Sequence, residues 1–280
     1  MLQGLARPLL NALEARCAQQ PDARPVLALT APVGAGKSTL ALQLQQLAAR
    51  AGLRLAVASI DDAYRSWPDR QQRLAGNPFG VQRVPPGSHD PALLQSAITE
   101  WRHCGVLRLP RFDKTLNQGQ GDRVAPALVQ ADALLLEGWL VGYEPCGSAA
   151  IASWLEQHNR TAPADPGMKL SEAEQVWLPC WDQALAEYQG LWGCCDSFWV
   201  LQPQNWAMVR RWRLQAEARQ RRRCGTATAL SADAVSRMVR ATQASLPPGL
   251  YQPALLRRAS GVATLDGRRR CLAVSSGDAS

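Results

Sequence analysis

The stretch that decides the fold is Pro25–Thr39, "PVLALTAPVGAGKST". Residues 25–31 are a short continuous apolar run, the mark of a strand buried on both faces. Gly34 and Gly36 then punctuate the chain before residues 37–50, where Leu40, Leu44 and Leu47 recur at helical spacing and Gly52 supplies a stop. Strand, glycine-rich turn and helix in that order fit the phosphate-loop pattern G-x-x-x-x-G-K-[ST]. Gly36, Lys37 and Ser38 are in register, and Ala31 occupies the first glycine slot. That exchange is harmless if Ala31 keeps a negative φ. The glycines let backbone N–H groups approach phosphate, and the helix N-terminus adds its dipole. Val33, Gly34, Ala35, Gly36, Lys37, Ser38 and Thr39 are therefore the expected nucleotide contacts. Lys37 would reach the β- and γ-phosphates, and the Ser38 hydroxyl would take Mg²⁺. A glycine-rich turn without function can read the same way. Its place between a clear strand and a clear helix argues for the nucleotide, so the expected cofactors are ATP and Mg²⁺.

Outward from this unit, strands and helices alternate. "LRLAVASI" (53–60), "ALLLEGW" (133–139) and "SFWVLQ" (197–202) read as further strands. "DPALLQSAITEWRHCG" (90–105) reads as a helix with Asp90 as N-cap and Pro91 in first position. Residues 171–189 read as helical from the capping box Ser171…Glu174. A long helix is expected over roughly 205–223, another from about 231 with Ser231 as cap, and two short strands around Asp266–Gly267 within 262–275. This alternation predicts an α/β P-loop NTPase fold, a mostly parallel sheet with helices on both faces. An amphipathic helix (Leu2, Leu5, Leu9, Leu13) is expected within residues 1–20, and one kinase domain over 21–280 with an arginine-rich lid at roughly 205–230. The least ordered stretches by composition are 64–88, 115–130, 142–148 and 159–169.

Composition narrows the class. The chain has 280 residues, 46% hydrophobic and 19% charged, which is globular and ample for a core. No apolar run approaches the roughly 20 residues that span a bilayer. Glu14 and the lack of a continuous apolar stretch argue against a secretory signal at the N-terminus. Eight cysteines show no C-x-x-C spacing, and with three histidines they make no zinc pattern; reduced thiols in a cytoplasm are expected. The net charge of +8 is compatible with nucleic acid or with small anionic substrates. The lysines are Lys37, Lys114 and Lys169 alone, and two of them fall in the motifs discussed here.

Acidic residues mark the strand ends. "SIDDAY" places Asp61 and Asp62 where a right-handed crossover brings them beside the phosphate loop. A carboxylate there can accept the proton of an attacking hydroxyl or hold a metal, or simply cap a turn. Glu137 ends its apolar strand where a Mg²⁺ carboxylate belongs; the plain alternative is a buried, paired glutamate. The chain has no N-K-x-D motif for reading guanine, which favours a small-molecule kinase. "LPRFDKTLNQGQGDR" (109–123) is too charged for a core strand and too broken for a helix. It reads as a loop, either solvated or gripping a small anion through Arg111, Lys114 or Arg123 with Asp113 or Asp122 as orienting acids. Arg210, Arg211, Arg213, Arg219, Arg221, Arg222 and Arg223 admit a solvated face, a nucleic-acid patch or a lid over the transferring phosphate. Their position after a strand favours the lid; no aromatic interleaving supports nucleic acid. Most of the ten tryptophans, such as Trp177 and Trp181, read as packing residues.

Taken in order, "TAPVGAGKST", "SIDDAY", "PPGSHD", "LPRFDKTLNQGQGDR", "LLLEGWLVG" and "WRLQAEA" resemble the P-loop D-glycerate 3-kinases, relatives of phosphoribulokinase, uridine kinase and bacterial pantothenate kinase. The resemblance covers about residues 25–275. It implies Mg²⁺- and ATP-dependent phosphorylation of D-glycerate at the 3-hydroxyl, a reaction that closes photorespiratory salvage in photosynthetic organisms. It implies Asp61 as general base beside Lys37 and Arg213, and Glu137 as a metal-site carboxylate. It implies an acceptor pocket lined by His89, Asp90, Arg111, Lys114 and Arg123, in the segment that also carries Asp113. The sequence departs from the family at Ala63, where an aromatic is common, and in "RRRCGTATALSADAV". Two other readings stand beside this one: a kinase of the same fold for a nucleoside, sugar phosphate or pantothenate, and a non-catalytic nucleotide- or RNA-binding regulator.

Overall fold

A computed structural model describes residues 3–19, 23–161, 168–224 and 230–276. The chain opens with α1 (Gln3–Gln19), β1 (Val26–Thr30), α2 (Lys37–Arg50), β2 (Leu55–Ser59) and α3 (Trp67–Arg73). It continues through α4 (Pro91–Cys104), β3 (Val106–Asp113), a short turn of helix α5 (Leu116–Gly119), β4 (Asp122–Gln130), β5 (Ala133–Gly138) and α6 (Ser148–Arg160). Next come α7 (Glu172–Ala184), α8 (Gln189–Trp192), β6 (Ser197–Pro203), α9 (Met208–Cys224), α10 (Ala232–Ser245), α11 (Pro248–Arg258), β7 (Gly261–Leu265) and β8 (Cys271–Ser276).

Strands buried on both faces must satisfy their backbone groups in one another. The apolar runs do so in a six-stranded sheet of order β2-β5-β1-β6-β7-β8, in which only β8 runs antiparallel to its neighbour. Leu5, Leu9 and Leu13 of α1, Leu40 and Leu44 of α2, and Val209 and Trp212 of α9 cover one face. Trp101 of α4, Trp181 of α7, Leu191 of α8 and Leu255 of α11 cover the other. Trp177 and Trp181 pack together, ring centroids 5.8 Å apart, and Trp181 stacks on Phe79 at 5.3 Å, so both are packing residues as expected. The register sets Glu137 of β5 beside Leu29 of β1 and Ser59 of β2. The ends of the three strands that carry the phosphate loop, Asp61 and Glu137 therefore lie side by side. No described helix is long and apolar enough to cross a membrane.

Three readings are corrected by the structure. Residues 109–123 are the tip of an antiparallel hairpin, β3 on β4, that forms a second sheet of its own. β4 falls within 115–130, a stretch read as irregular. Both strands stand outside the main sheet; β3 buries Leu107 and Leu109 on one face, β4 buries no residue fully, and neither shows a continuous apolar run. α3 likewise falls within 64–88, started by Ser66, whose Oγ accepts from the Asp69 N–H. Asp90 precedes α4 but makes no side-chain cap; its carboxylate pairs with Arg123 instead. The capping box Ser171–Glu174 and the Ser231 cap form as read. Of the stretch read as irregular at 159–169 and the lid read at 205–230, residues 162–167 and 225–229 lie outside the described residues.

Candidate active site

The phosphate loop starts where β1 ends. Ala31 keeps a negative φ and gives its N–H to the Gly138 carbonyl at 3.1 Å, so the absent glycine costs nothing. Gly34 and Gly36 take φ of +79° and +103°, open to glycine at little cost. Gly34 has a second reason to be glycine. A Cβ there would meet the backbone N of Arg213 at 2.6 Å, because α9 lies directly on the loop. Lys37 turns back on its own loop, donating to the Ala31 carbonyl at 2.9 Å, and its Nζ lies 3.9 Å from Glu137 Oε2. Burial pushes the Lys37 pKa down, against the pull of Glu137 and Asp61.

Glu137 is 8% exposed, and burial raises its pKa against the opposing charge of Lys37. Its Oε2 is buried without a hydrogen-bond partner among the described residues. A carboxylate oxygen in that condition fits a cation. Ser38, exposed at the start of α2 beside Lys37, adds a hydroxyl of the hard-oxygen type that Mg²⁺ takes. Among the described residues no group of three or more acidic, histidine or cysteine side chains surrounds a metal by itself. That suits an ion whose remaining ligands are phosphate and water.

β2 runs into a tight turn at Ile60–Ala63 that separates the paired aspartates. Asp62 is used by the backbone: its Oδ2 accepts from the Ser59 N–H at 3.3 Å, and burial raises its pKa. Asp61 is left to face the crevice, its side chain 33% exposed. Its Oδ1 accepts from the Tyr64 hydroxyl at 2.9 Å, its Oδ2 from Lys114 Nζ at 3.2 Å, and His89 Nε2 stands 3.8 Å from Oδ1. Burial alone would raise its pKa; Lys114, His89 and Tyr64 outweigh that and hold the carboxyl well below its usual range.

The "PPGSHD" segment runs antiparallel to Tyr64, with Arg65 N–H on the Ser88 carbonyl and Asp90 N–H on that of Ala63. This buries His89 completely and stacks it on Tyr64, ring centroids 4.4 Å apart. At the hairpin tip Asp113 is spent on the turn, accepting from Thr115 N–H and Oγ1 at 2.8 and 2.6 Å. Arg123 is also engaged, donating to the Tyr64 carbonyl at 2.8 Å and to Asp90 Oδ2 at 2.9 Å. The Arg111 side chain makes no hydrogen bond or ion pair among the described residues; its charge adds to the Thr115 hydrogen bonds that lower the pKa of Asp113 and opposes the burial-driven rise at Asp62. Lys114 thus binds Asp61 directly with His89 close by, Asp90 and Arg123 brace Tyr64 from behind, and Arg111 is left with no side-chain partner among the described residues, while Lys114 stays 58% exposed. On α9, Arg213 pairs with Glu217 at 2.8 Å, and its charge is felt at Lys37. Arg210, Arg211 and Arg221 are tied to Ser236 Oγ and to the Gly267 and Leu230 carbonyls, which is more than a solvated face requires.

No family model matches the chain. Among curated proteins it is similar to the chloroplastic D-glycerate 3-kinase of Arabidopsis thaliana, 27% identical over 237 residues, which are 79% of this chain and 48% of that enzyme. The chain thus spans about half the length of the plant protein. It is also similar to the uncharacterized kinase mug58 of Schizosaccharomyces pombe, 28% identical over 211 residues, 71% of this chain and 72% of the relative. Among solved structures, D-glycerate 3-kinase from Cryptococcus neoformans superposes with a TM-score of 0.85 at 23% identity, covering 98% of this chain and 99% of that one. The YGR205w protein superposes with a TM-score of 0.75 at 21% identity, covering 99% and 98%. The chain has the P-loop kinase fold.

Within that fold two buried arginines hold the site and carry no local signature. Arg70 is fully buried and donates to the carbonyls of Arg65, Gln82, Gln120 and Gly121, with its guanidinium 4.8 Å from the Phe112 ring centroid. It fixes the hairpin tip. Arg269 adopts a left-handed φ of 61° and donates to the Gly34 and Trp212 carbonyls at 2.7 and 2.8 Å, joining the phosphate loop to α9. Some of their partners lie 50 and 235 residues away, and sequence spacing encodes neither contact.

Proposed function

We propose that the protein is an ATP- and Mg²⁺-dependent kinase that phosphorylates D-glycerate at its 3-hydroxyl to give 3-phosphoglycerate. One observation carries the reading. An ionised aspartate, Asp61, is held by Lys114 and Tyr64 at a strand end adjoining the ends that carry Lys37 and Glu137. In this arrangement Lys37 leaves the Ala31 carbonyl to meet the β- and γ-phosphates, and Arg213 approaches from α9. Glu137 and Ser38 would hold Mg²⁺, which supplies charge neutralisation at the transferring phosphoryl oxygens. Asp61 orients the attacking hydroxyl and accepts its proton as the new O–P bond forms. Arg111, which has no side-chain partner among the described residues, and the exposed Lys114 beside Asp61 offer charge to an acceptor carboxylate. The similarity to a plant D-glycerate 3-kinase, and to the fungal one in fold, supports the choice of acceptor. The seven cysteines described are all free thiols, which supports a reducing compartment such as the cytoplasm.

The test is ADP release with Mg²⁺-ATP and D-glycerate, L-glycerate or uridine as acceptor. Release dependent on D-glycerate is expected. Turnover of uridine with none of D-glycerate would reject the acceptor and keep the kinase; no acceptor-dependent release with any member of a wider panel would reject the kinase.

A further inference from the structure

We propose that Tyr188 is a positioning residue that fixes the tautomer of His89, so that the His89 Nε2–H is aimed at the Asp61 carboxylate. The inference rests on the assignment of Asp61 as base. It follows from the direction of hydrogen bonds around a fully buried ring. Tyr188 comes from the 3-10 turn Leu185–Tyr188 between α7 and α8, on the far side of His89 from the crevice. Its hydroxyl oxygen accepts from the Gly87 N–H at 3.3 Å and lies 2.8 Å from His89 Nδ1. A backbone N–H can only donate, so Tyr188 is the acceptor in that contact. Its own hydrogen then goes to His89 Nδ1, its other hydrogen-bond partner among the described residues; Ser88 Oγ, 3.4 Å from the same nitrogen, is the longer contact there. Burial raises the pKa of the phenol, which keeps that hydrogen in place.

If Nδ1 accepts, a neutral ring carries its proton on Nε2. Burial lowers the His89 pKa, against the pull of Asp61, which favours the neutral ring. Nε2 is buried without a partner among the described residues and stands 3.8 Å from Asp61 Oδ1. The opposite tautomer would strand the Tyr188 hydrogen and turn a nitrogen lone pair toward an ionised carboxylate, two unfavourable contacts at once. Tyr64 holds the geometry from the front: its ring stacks on His89 while its hydroxyl donates to the same Oδ1. Asp61 is thereby flanked by two neutral donors, Tyr64 and His89, and one cation, Lys114. Contraction by less than an ångström on substrate binding would complete the His89 contact and fix the carboxylate against the attacking hydroxyl.

The experiment uses the full chain labelled with ¹⁵N-histidine. Its rings are only three, His89, His103 and His158, and His89→Gln assigns the signal of interest. Long-range ¹H–¹⁵N correlation distinguishes the two neutral tautomers and the imidazolium. The expected result is a single Nε2–H tautomer at neutral pH; an Nδ1–H ring or an imidazolium overturns the proposal whether or not D-glycerate is turned over. In Tyr188→Phe the tautomer is expected to become mixed, with kcat about ten-fold lower and KM for ATP within about two-fold. An unchanged tautomer and unchanged kcat in that variant also overturn it. Should Tyr188→Phe fail to fold, the spectrum of the unsubstituted protein still decides.

Discussion

Asp61 and Asp62 are neighbours in sequence with opposite fates. The turn at Ile60–Ala63 spends Asp62 on the Ser59 N–H and leaves Asp61 to Lys114 and Tyr64. Asp61→Asn keeps the shape and removes the proton acceptor. ADP release is expected to fall by about 10²–10⁴-fold while ATP binding, followed by titration calorimetry, stays as it is. Retained turnover would show that another group takes the proton. Glu137 is a different kind of residue, a buried acid whose free oxygen is costly unless a cation reaches it. Glu137→Gln is expected to raise the Mg²⁺ concentration for half-maximal activity by about 10–100-fold. A magnesium titration at fixed ATP checks it, and an unaltered titration removes Glu137 from the metal site.

On the proposed reading, the hairpin is the element that adds an acceptor side to the phosphate loop. Its tip is shaped by Asp113 on Thr115, by Arg70 on the Gln120 and Gly121 carbonyls, and by Gly121 at φ +73° against the Phe112 ring. A Cβ at Gly121 would overlap that ring and come within 2.9 Å of the Asp113 carbonyl. Gly121→Ala should therefore strain the turn by about 1–3 kcal/mol and displace Lys114. The expected outcome is a higher KM for D-glycerate, an unchanged KM for ATP, and faster amide exchange in residues 114–121. The same element shows where sequence reading stops. β1, β5 and β6 are legible because burial on both faces forces a continuous apolar run. The hairpin lacks that pressure: it fully buries Leu107 and Leu109 alone among its strand residues, so its charged tip looks like a loop although it pairs residue by residue. Lys37, Asp61 and Glu137 are legible because each lies at or shortly after the end of an apolar strand run. Arg70, Tyr188 and Arg269 are not, because each is defined by partners that only the folded chain brings near.

At the scale of the whole molecule, the sheet order and the charges tell one story. Placing β5 between β1 and β2 brings the ends that carry the phosphate loop, Asp61 and Glu137 together, while paired carboxylates are spread over the rest of the fold. Asp61, Asp122, Asp132 and Glu174 all have pKa values depressed on folding, the last two by close arginine partners. The sign follows from linkage. A carboxyl with a lower pKa in the folded chain leaves the unfolded chain binding more protons in acid. Its contribution is present above the unfolded pKa, near 4, and is lost as pH falls through the folded value. Glu137 and Asp62 act the other way, because burial raises their pKa and protonation relieves a cost of folding. His89 and His158, whose pKa burial lowers, begin to cost stability as pH falls through the free imidazole value near 6.5, and the depressed carboxyls follow near 4, so Tm is expected to decline from about pH 6.5 and to fall steeply below about pH 4. Scanning calorimetry across that range measures it. Glu174→Gln should lower Tm at pH 7 and narrow the gap between pH 7 and pH 3, because it deletes one of the groups that the acid would otherwise protonate. An unchanged slope in that variant would mean that the pair with Arg240 contributes nothing to the acid limb.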